Sequence, residues 1–356
     1  MPTCWSIPAI HSDFELEAVG YSPDAPIVYT VRGQHGHLRR NAELESGEMT
    51  NDHGRLLRTP TKIVPGLDYV VVAQGAQSLA NSVPLIANQA AELRIHGSGS
   101  WSAHVNGVTL EAVRPVIDRP DDRYVWIEPN PLSATRFRVP AEHVRPGMQI
   151  ELDGAGHFLV EPEVLEIQHP VVVLIPLDFG GDAPEVPTDL LHAWEASMGG
   201  LSVSVRTMDT VNSPLPRPGR VVDMVDLALY ASSLVDPGEI AVGLITGHER
   251  HPLGGVGVSD DLAALIAVGR RPSTLLAHEL GHIFGLPHSP CGDPPDYEFE
   301  WAYPNGSIGA WSLDPSGELP YRDPATADVM GYCGGPVLSA VNLERVVREI
   351  HRRFGR

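Results

Sequence analysis

The chain has 356 residues, 42% of them hydrophobic and 20% charged, enough length and apolar content to bury one or two cores. Its formal net charge of -20 argues against nucleic acid as a partner, because phosphate binding needs clustered Lys and Arg. No apolar run reaches the ~18–20 residues that cross a bilayer, and three cysteines are too few for a disulfide framework.

Met1 to Trp5 lack a basic segment followed by an apolar stretch, so no signal peptide is expected. Up to about Glu161, short alternating or β-branched runs are cut by Gly, Pro, Asn and Asp. Examples are Pro26 to Arg32, Asp68 to Ala73, Glu92 to His96, Trp101 to Leu110, Tyr124 to Glu128, Thr135 to Val139 and Met148 to Leu152. Asn106-Gly107, between Val105 and Val108, is the dipeptide a tight hairpin prefers. Residues 1–165 therefore predict an all-β, sandwich-like domain or two small β modules.

Past Gln168 the pattern changes. Val171 to Leu177 is a continuous apolar run, as for a strand buried on both faces. Pro187-Thr188-Asp189 offers caps for a helix through Met198, and Leu201 to Met208 reads as a strand. A Pro-rich loop, Pro214 to Pro218, leads to a helix from Val221 to Leu234. Ile240 to Thr246 gives a third strand, followed by the Gly-rich Gly254 to Val258 and by Leu262 to Val268. This alternation predicts a second domain over 166–356, an α+β or α/β fold on a mixed, largely parallel sheet. Ser273 is the expected N-cap of a helix from Thr274 to Phe284, with Gly285 as its left-handed C-cap. A Gly-, Pro- and Asp-rich stretch follows to about Thr326. The chain closes on a helix over Ser339 to Phe354, with Val341, Val346, Val347, Ile350 and Phe354 as its apolar stripe.

His278-Glu279-Leu280-Gly281-His282 places two imidazoles four residues apart, about 40° from one helical face. They can grip one ion together. Gly285 can take the positive φ that ends the helix, and Pro287 keeps it from resuming, so His288 can swing back as a third nitrogen ligand. Three neutral imidazoles leave a zinc ion an open position for water, the mark of a catalytic rather than a closed structural site. Zinc lowers the pKa of that water, and Glu279 can accept its proton as it attacks a carbonyl. A chain of this composition produces the five-residue spacing by chance only about 2 times in 10,000.

His278, Glu279, His282, Gly285 and His288 match the HExxHxxGxxH signature, and on them the segment from about Pro170 to the C-terminus resembles the metzincin zinc peptidases. Asp328-Val329-Met330-Gly331-Tyr332 resembles the family's Met-turn, in which a methionine floors the three zinc-bound histidines. The resemblance implies one catalytic Zn2+ on His278, His282 and His288 with Glu279 as general base. Tyr332 matches a tyrosine that in some members stabilises the oxyanion; the alternative is a structural tyrosine. It also implies an edge strand above the active-site helix that pairs with extended substrate, for which Gly254, Gly255, Val256, Gly257 and Val258 are the candidates. His288 with Cys291-Gly292, Gly306 to Trp311, and Asp328 to Cys333 is similar to secreted bacterial metzincins that include mucin-degrading proteases. In that group Cys291 and Cys333 would bridge over the cleft; two buried thiols are the other reading. The resemblance favours a secreted, monomeric enzyme acting on protein, peptide or glycoprotein, from which the missing signal peptide departs.

Other polar groups carry less. His248, Glu249 and His251 read as a solvated loop, and His35 and His37 lack a third ligand nearby. Cys4 lies outside the Gly and Pro setting of the family's latency cysteine. Asp293, Asp296, Asp314 and Asp323 could hold a structural Ca2+ through their oxygens but lack the spacing of a calcium loop, so solvated loop acids are the better reading. Two competing functions are a glycan- or protein-binding adhesion protein with a vestigial metal site and a zinc hydrolase of a non-protein amide. Retention of Glu279 beside a full ligand set favours the peptidase.

Overall fold

In the computed structural model the chain is a mixed α+β protein with several sheets and few helices. The structure describes the backbone of strands within 15–58 and residues 67–77, 83–97, 99–113, 131–154, 156–197, 203–247, 254–269, 271–294, 301, 303–313 and 321–355. Among these, no helix is long and apolar enough to cross a membrane. Two compact units share the chain. The first comprises Met1–Leu165, Glu300–Leu313 and Gly317–Thr326; the second comprises Glu166–Phe299, Asp314–Ser316 and Ala327–Arg356.

The first unit opens on an antiparallel meander, β1 (Glu15–Val19), β2 (Val28–Gly33), β3 (Gly36–Glu43), β4 (Ser46–Thr50) and β5 (Leu56–Arg58), paired in sequence order. It continues through β6 (Leu67–Ala73), β7 (Leu85–Ile86), β8 (Ala91–Gly97), β9 (Ser102–Val105), β10 (Val108–Thr109), β11 (Ala112–Val113), β12 (Thr135–Val139), β13 (Ile150–Asp153), β14 (His157–Val160) and β15 (Val164–Leu165). The expected hairpin forms at Asn106-Gly107, both with positive φ, between β9 and β10. Two four-stranded sheets, β10-β9-β13-β14 and β11-β12-β8-β6, feed one hydrophobic core. Alternate residues Leu93, Ile95, Phe137 and Val139 of one meet Ala103, Val105, Ile150 and Leu152 of the other, the two-residue period of a half-buried strand.

The opposite faces of β8 and β12 carry Glu92, Arg94 and Arg136, and Arg94 is fully buried. Tyr321, which follows the three histidines 278, 282 and 288 in sequence, donates its hydroxyl proton to the Glu92 carboxylate at 2.7–2.8 Å and accepts from Arg136 Nη1 at 2.8 Å. Arg94 Nε stands 3.2 Å from Glu92. Burying charge demands such partners, and these tie Tyr321 into a sheet two hundred residues earlier.

In the second unit β16 (Val171–Asp178) is flanked by the parallel strands β17 (Ser204–Thr207), β18 (Val211–Asn212) and β19 (Ile240–Thr246). β21 (Ala263–Val268) is parallel to β19, and β20 (Gly255–Val258) runs antiparallel to β21 at the sheet's end. Val172 to Leu177 are all buried, as the unbroken apolar run requires of a strand covered on both faces. One face packs on α2 (Val221–Ser232) through Met224, Leu227, Ala228 and Ala231. Against the other runs α3 (Pro272–Ile283), beside α1 (His192–Ser197), with Trp194 stacked on Phe284 at 5.6 Å.

Two helix starts differ from expectation. α1 begins at His192, after a turn in which Asp189 accepts the His192 N–H, rather than at Pro187. α3 begins at Pro272 behind a left-handed Arg271, so Ser273 lies inside its first turn and not at the cap; proline's fixed φ and missing N–H suit it to that first position. α4 (Ala340–Phe354) is capped by Ser339, whose side chain accepts the Asn342 N–H, and Leu343 joins Val346, Val347 and Ile350 on its buried face, with Val341 half-buried.

Candidate metal centre

The end of α3 brings the third histidine to the first two. Gly285 has φ +80°, its N–H reaches the His282 carbonyl at 2.9 Å, and the Leu286 N–H reaches the Gly281 carbonyl at 3.0 Å. These two bonds form the Schellman turn that satisfies the last helical carbonyls and needs a left-handed residue. The chain then doubles back, and His288 faces His278 and His282.

His278 Nδ1 lies 2.9 Å from the Val329 carbonyl oxygen and His282 Nδ1 lies 2.8 Å from that of Leu286. A carbonyl only accepts, so each Nδ1 carries the proton and each neutral ring presents a bare Nε2. His282 Nε2 stands 3.1 Å from Nε2 of both His278 and His288, and the three ligand atoms lie within 4.8 Å of one another. Facing lone pairs at such range repel unless a cation sits among them. Two nitrogens on one tetrahedral ion of zinc's size stand about 3.3 Å apart, so the donor set fits one small metal ion. Burial, with the neighbouring His282 and His288, holds the His278 pKa down to about 4. The ring is thus free of a second proton at neutral pH, as a ligand must be.

The floor is built by the turn at 328–331. Met330 is fully buried, and a Cβ at Gly281 would run into its sulfur, so the bare glycine on α3 lets the methionine lie against the ligand helix. Asp328 fixes this turn: its carboxylate accepts from the N–H groups of Met330 at 2.7 Å and Ser339 at 2.6 Å and from Asn342 Nδ2 at 3.2 Å. Val329, between Asp328 and Met330, supplies the carbonyl that orients His278. Cys291 and Cys333 form a disulfide, and the Tyr332 N–H donates to the Cys291 carbonyl at 2.7 Å, so the strand leaving His288 is fastened to the turn. Tyr332 is half-exposed, its ring edge-on to His288 at 4.9 Å between centroids and 6.0 Å from His278.

Glu279 is buried on the flank of α3 facing β20, and burial pushes its carboxyl up to about 8. Gly254, Gly255 and Gly257 turn toward α3, while Val256 and Val258 pack on the core across the sheet.

The structure thus gathers His278, His282 and His288, with Glu279, Met330, Gly285, Tyr332, Cys291 and Cys333 around them. Sequence reasoning passed over Asp328, Gly281 and the carbonyls of Val329 and Leu286. A buried acid beside the methionine was the available signal for the first; backbone carbonyls carry none. Asp293 and Asp323 join no metal-binding group among the described residues, and Cys4, His35, His248, Glu249, His251, Asp296 and Asp314, with the side chain of His37, lie outside them. No protein-family model and no curated protein matches the chain.

Proposed function

We propose that the protein is a zinc-dependent endopeptidase of the metzincin type, with a metzincin-like fold in its second unit and a sandwich-like β region before it. The observation that carries this reading is the convergence of three imidazole nitrogens, with the buried Glu279 following His278 on the same helix. The chain's substrates would be proteins, peptides or glycoproteins, with glycoprotein and secretion supported by the motif resemblance.

His278, His282 and His288 would hold the ion. When bound, zinc acts as a Lewis acid that acidifies water and polarises a carbonyl. Glu279, whose carboxylate form burial disfavours, would be ionised more readily with a cation on the neighbouring histidines. Glu279 then accepts a proton from the attacking water and passes it to the departing amine. The Tyr332 phenol, beside His288 and half in solvent, is suited to donate to the oxyanion. β20 ends its sheet, and an open edge offers N–H and C=O groups to an extended chain.

The test compares zinc content and cleavage of a mixed peptide library for the wild type and Glu279→Ala. Stoichiometric zinc is expected in both, with the variant at least ~100-fold slower, the usual scale for a lost general base. Equal cleavage by the two proteins, or a wild type that binds no zinc, overturns the reading.

A further inference from the structure

Leu275, Glu279 and His282 stand at i, i+4 and i+7 on α3, one stripe of the helix. Along that stripe runs a strand with no side chains to offer. A Cβ at Gly254 would lie 2.9 Å from Leu275 Cδ1, and one at Gly257 would lie 2.8 Å from His282 Cβ. At Gly255 its three nearest neighbours would all belong to Glu279, at 2.6 Å from Oε1, 2.8 Å from Cγ and 2.9 Å from Cδ. Side-chain Cβ atoms essentially never approach a neighbour within 3.0 Å. None of these three glycines has positive φ, so the backbone does not require them. Glycine inside a strand weakens it and marks close approach of another group; at position 255 the group that approaches is the carboxylate side chain itself.

We propose that Gly255 is a positioning residue for Glu279, the bare backbone at 255 setting where the glutamate carboxylate, on the residue next to His278 in the chain, comes to rest. The inference rests on the peptidase reading for its consequence, though not for its geometry. A methyl group at 255 meets the Glu279 side chain from Cγ to Oε1, so the carboxylate is the group expected to move. Misplacing a reacting group by about 1 Å costs on the order of 100-fold.

The experiment uses the full-length, zinc-loaded protein. Gly255→Ala is expected to keep stoichiometric zinc and to lower kcat about 10- to 100-fold with KM within about twofold. In a Glu279→Gln background the same change is expected to have no further effect, since coupled residues are not additive. A rate loss of equal size in both backgrounds, or no loss in either, overturns the proposal. Should Gly255→Ala fold poorly, a double variant that also truncates residue 279 provides the second test. In Gly255→Ala with Glu279→Ala every atom beyond Cβ that the methyl would meet is gone, so it should fold as well as Glu279→Ala alone; if it does not, the proposal fails. A readout independent of activity is the 13C resonance of the Glu279 carboxyl, assigned by its loss in Glu279→Gln. Movement of that signal in Gly255→Ala supports positioning even if the wild type cleaves no peptide, which would sink the peptidase reading alone. An unmoved signal sinks the positioning role.

Discussion

Asp328 accepts from Met330, Ser339 and Asn342 and so governs the turn whose Val329 carbonyl orients His278. Burial raises its carboxyl from the ordinary 3.8 to about 6, against the pull of donors from Met330, Ser339 and Asn342. Between those two values the folded chain binds more protons at this site than the unfolded chain, so this group's contribution to stability falls as pH rises. Urea denaturation between pH 4 and 6.5 should therefore show the wild type losing stability relative to Asp328→Asn as pH increases. Taking the difference cancels the other titrating groups, including the buried His278, whose lowered pKa acts with opposite sign. A flat difference across that window would show that Asp328 holds an ordinary pKa.

The ends of elements decide which residues meet. The turn after α3 converts a sequence spacing into a ligand set: Gly285 at φ +80° reverses the chain three residues before His288. An alanine there must adopt a conformation costing about 1–2 kcal/mol. Gly285→Ala should lower the unfolding free energy by that amount in denaturant titrations, and Gly285→Asn by less, because asparagine tolerates the left-handed region better. Equal stability of glycine and alanine proteins would mean that the turn relaxes into another shape. This part of the site was legible in sequence, because helical period and glycine's conformational range are local properties. So were the apolar run of β16 and the Asn106-Gly107 hairpin. The side toward which Gly255 and Gly257 turn was not, since alternate glycines read equally as loop, edge strand or packing surface until a partner helix is placed. The start of α3 was misjudged because a serine at the usual capping spacing outweighed Pro272, and the start of α1 because Asp189 caps a turn rather than the helix.

At the scale of the whole chain, the disulfide joins residues 42 apart. A bridge over such a loop stabilises by about 2–4 kcal/mol through the unfolded state. Replacing both Cys291 and Cys333 by serine should cost that much in denaturant while leaving the three imidazoles able to bind zinc. Complete loss of metal binding would show instead that the bridge holds the site open. The stretch inside this loop includes Glu300–Leu313 and Gly317–Thr326, which belong with the first unit. Such membership was not legible, because it is fixed by Tyr321 meeting Glu92 and Arg136 across a gap in sequence that no local pattern spans. Its consequence concerns biosynthesis. As the polypeptide leaves the ribosome, the β-rich half must wait, with Arg94 and Glu92 lacking Tyr321, until the histidine-bearing helix has already emerged. The usual order of synthesis, in which an N-terminal domain is complete before the next one appears, is therefore not open to this chain, whose first unit needs residues up to Thr326.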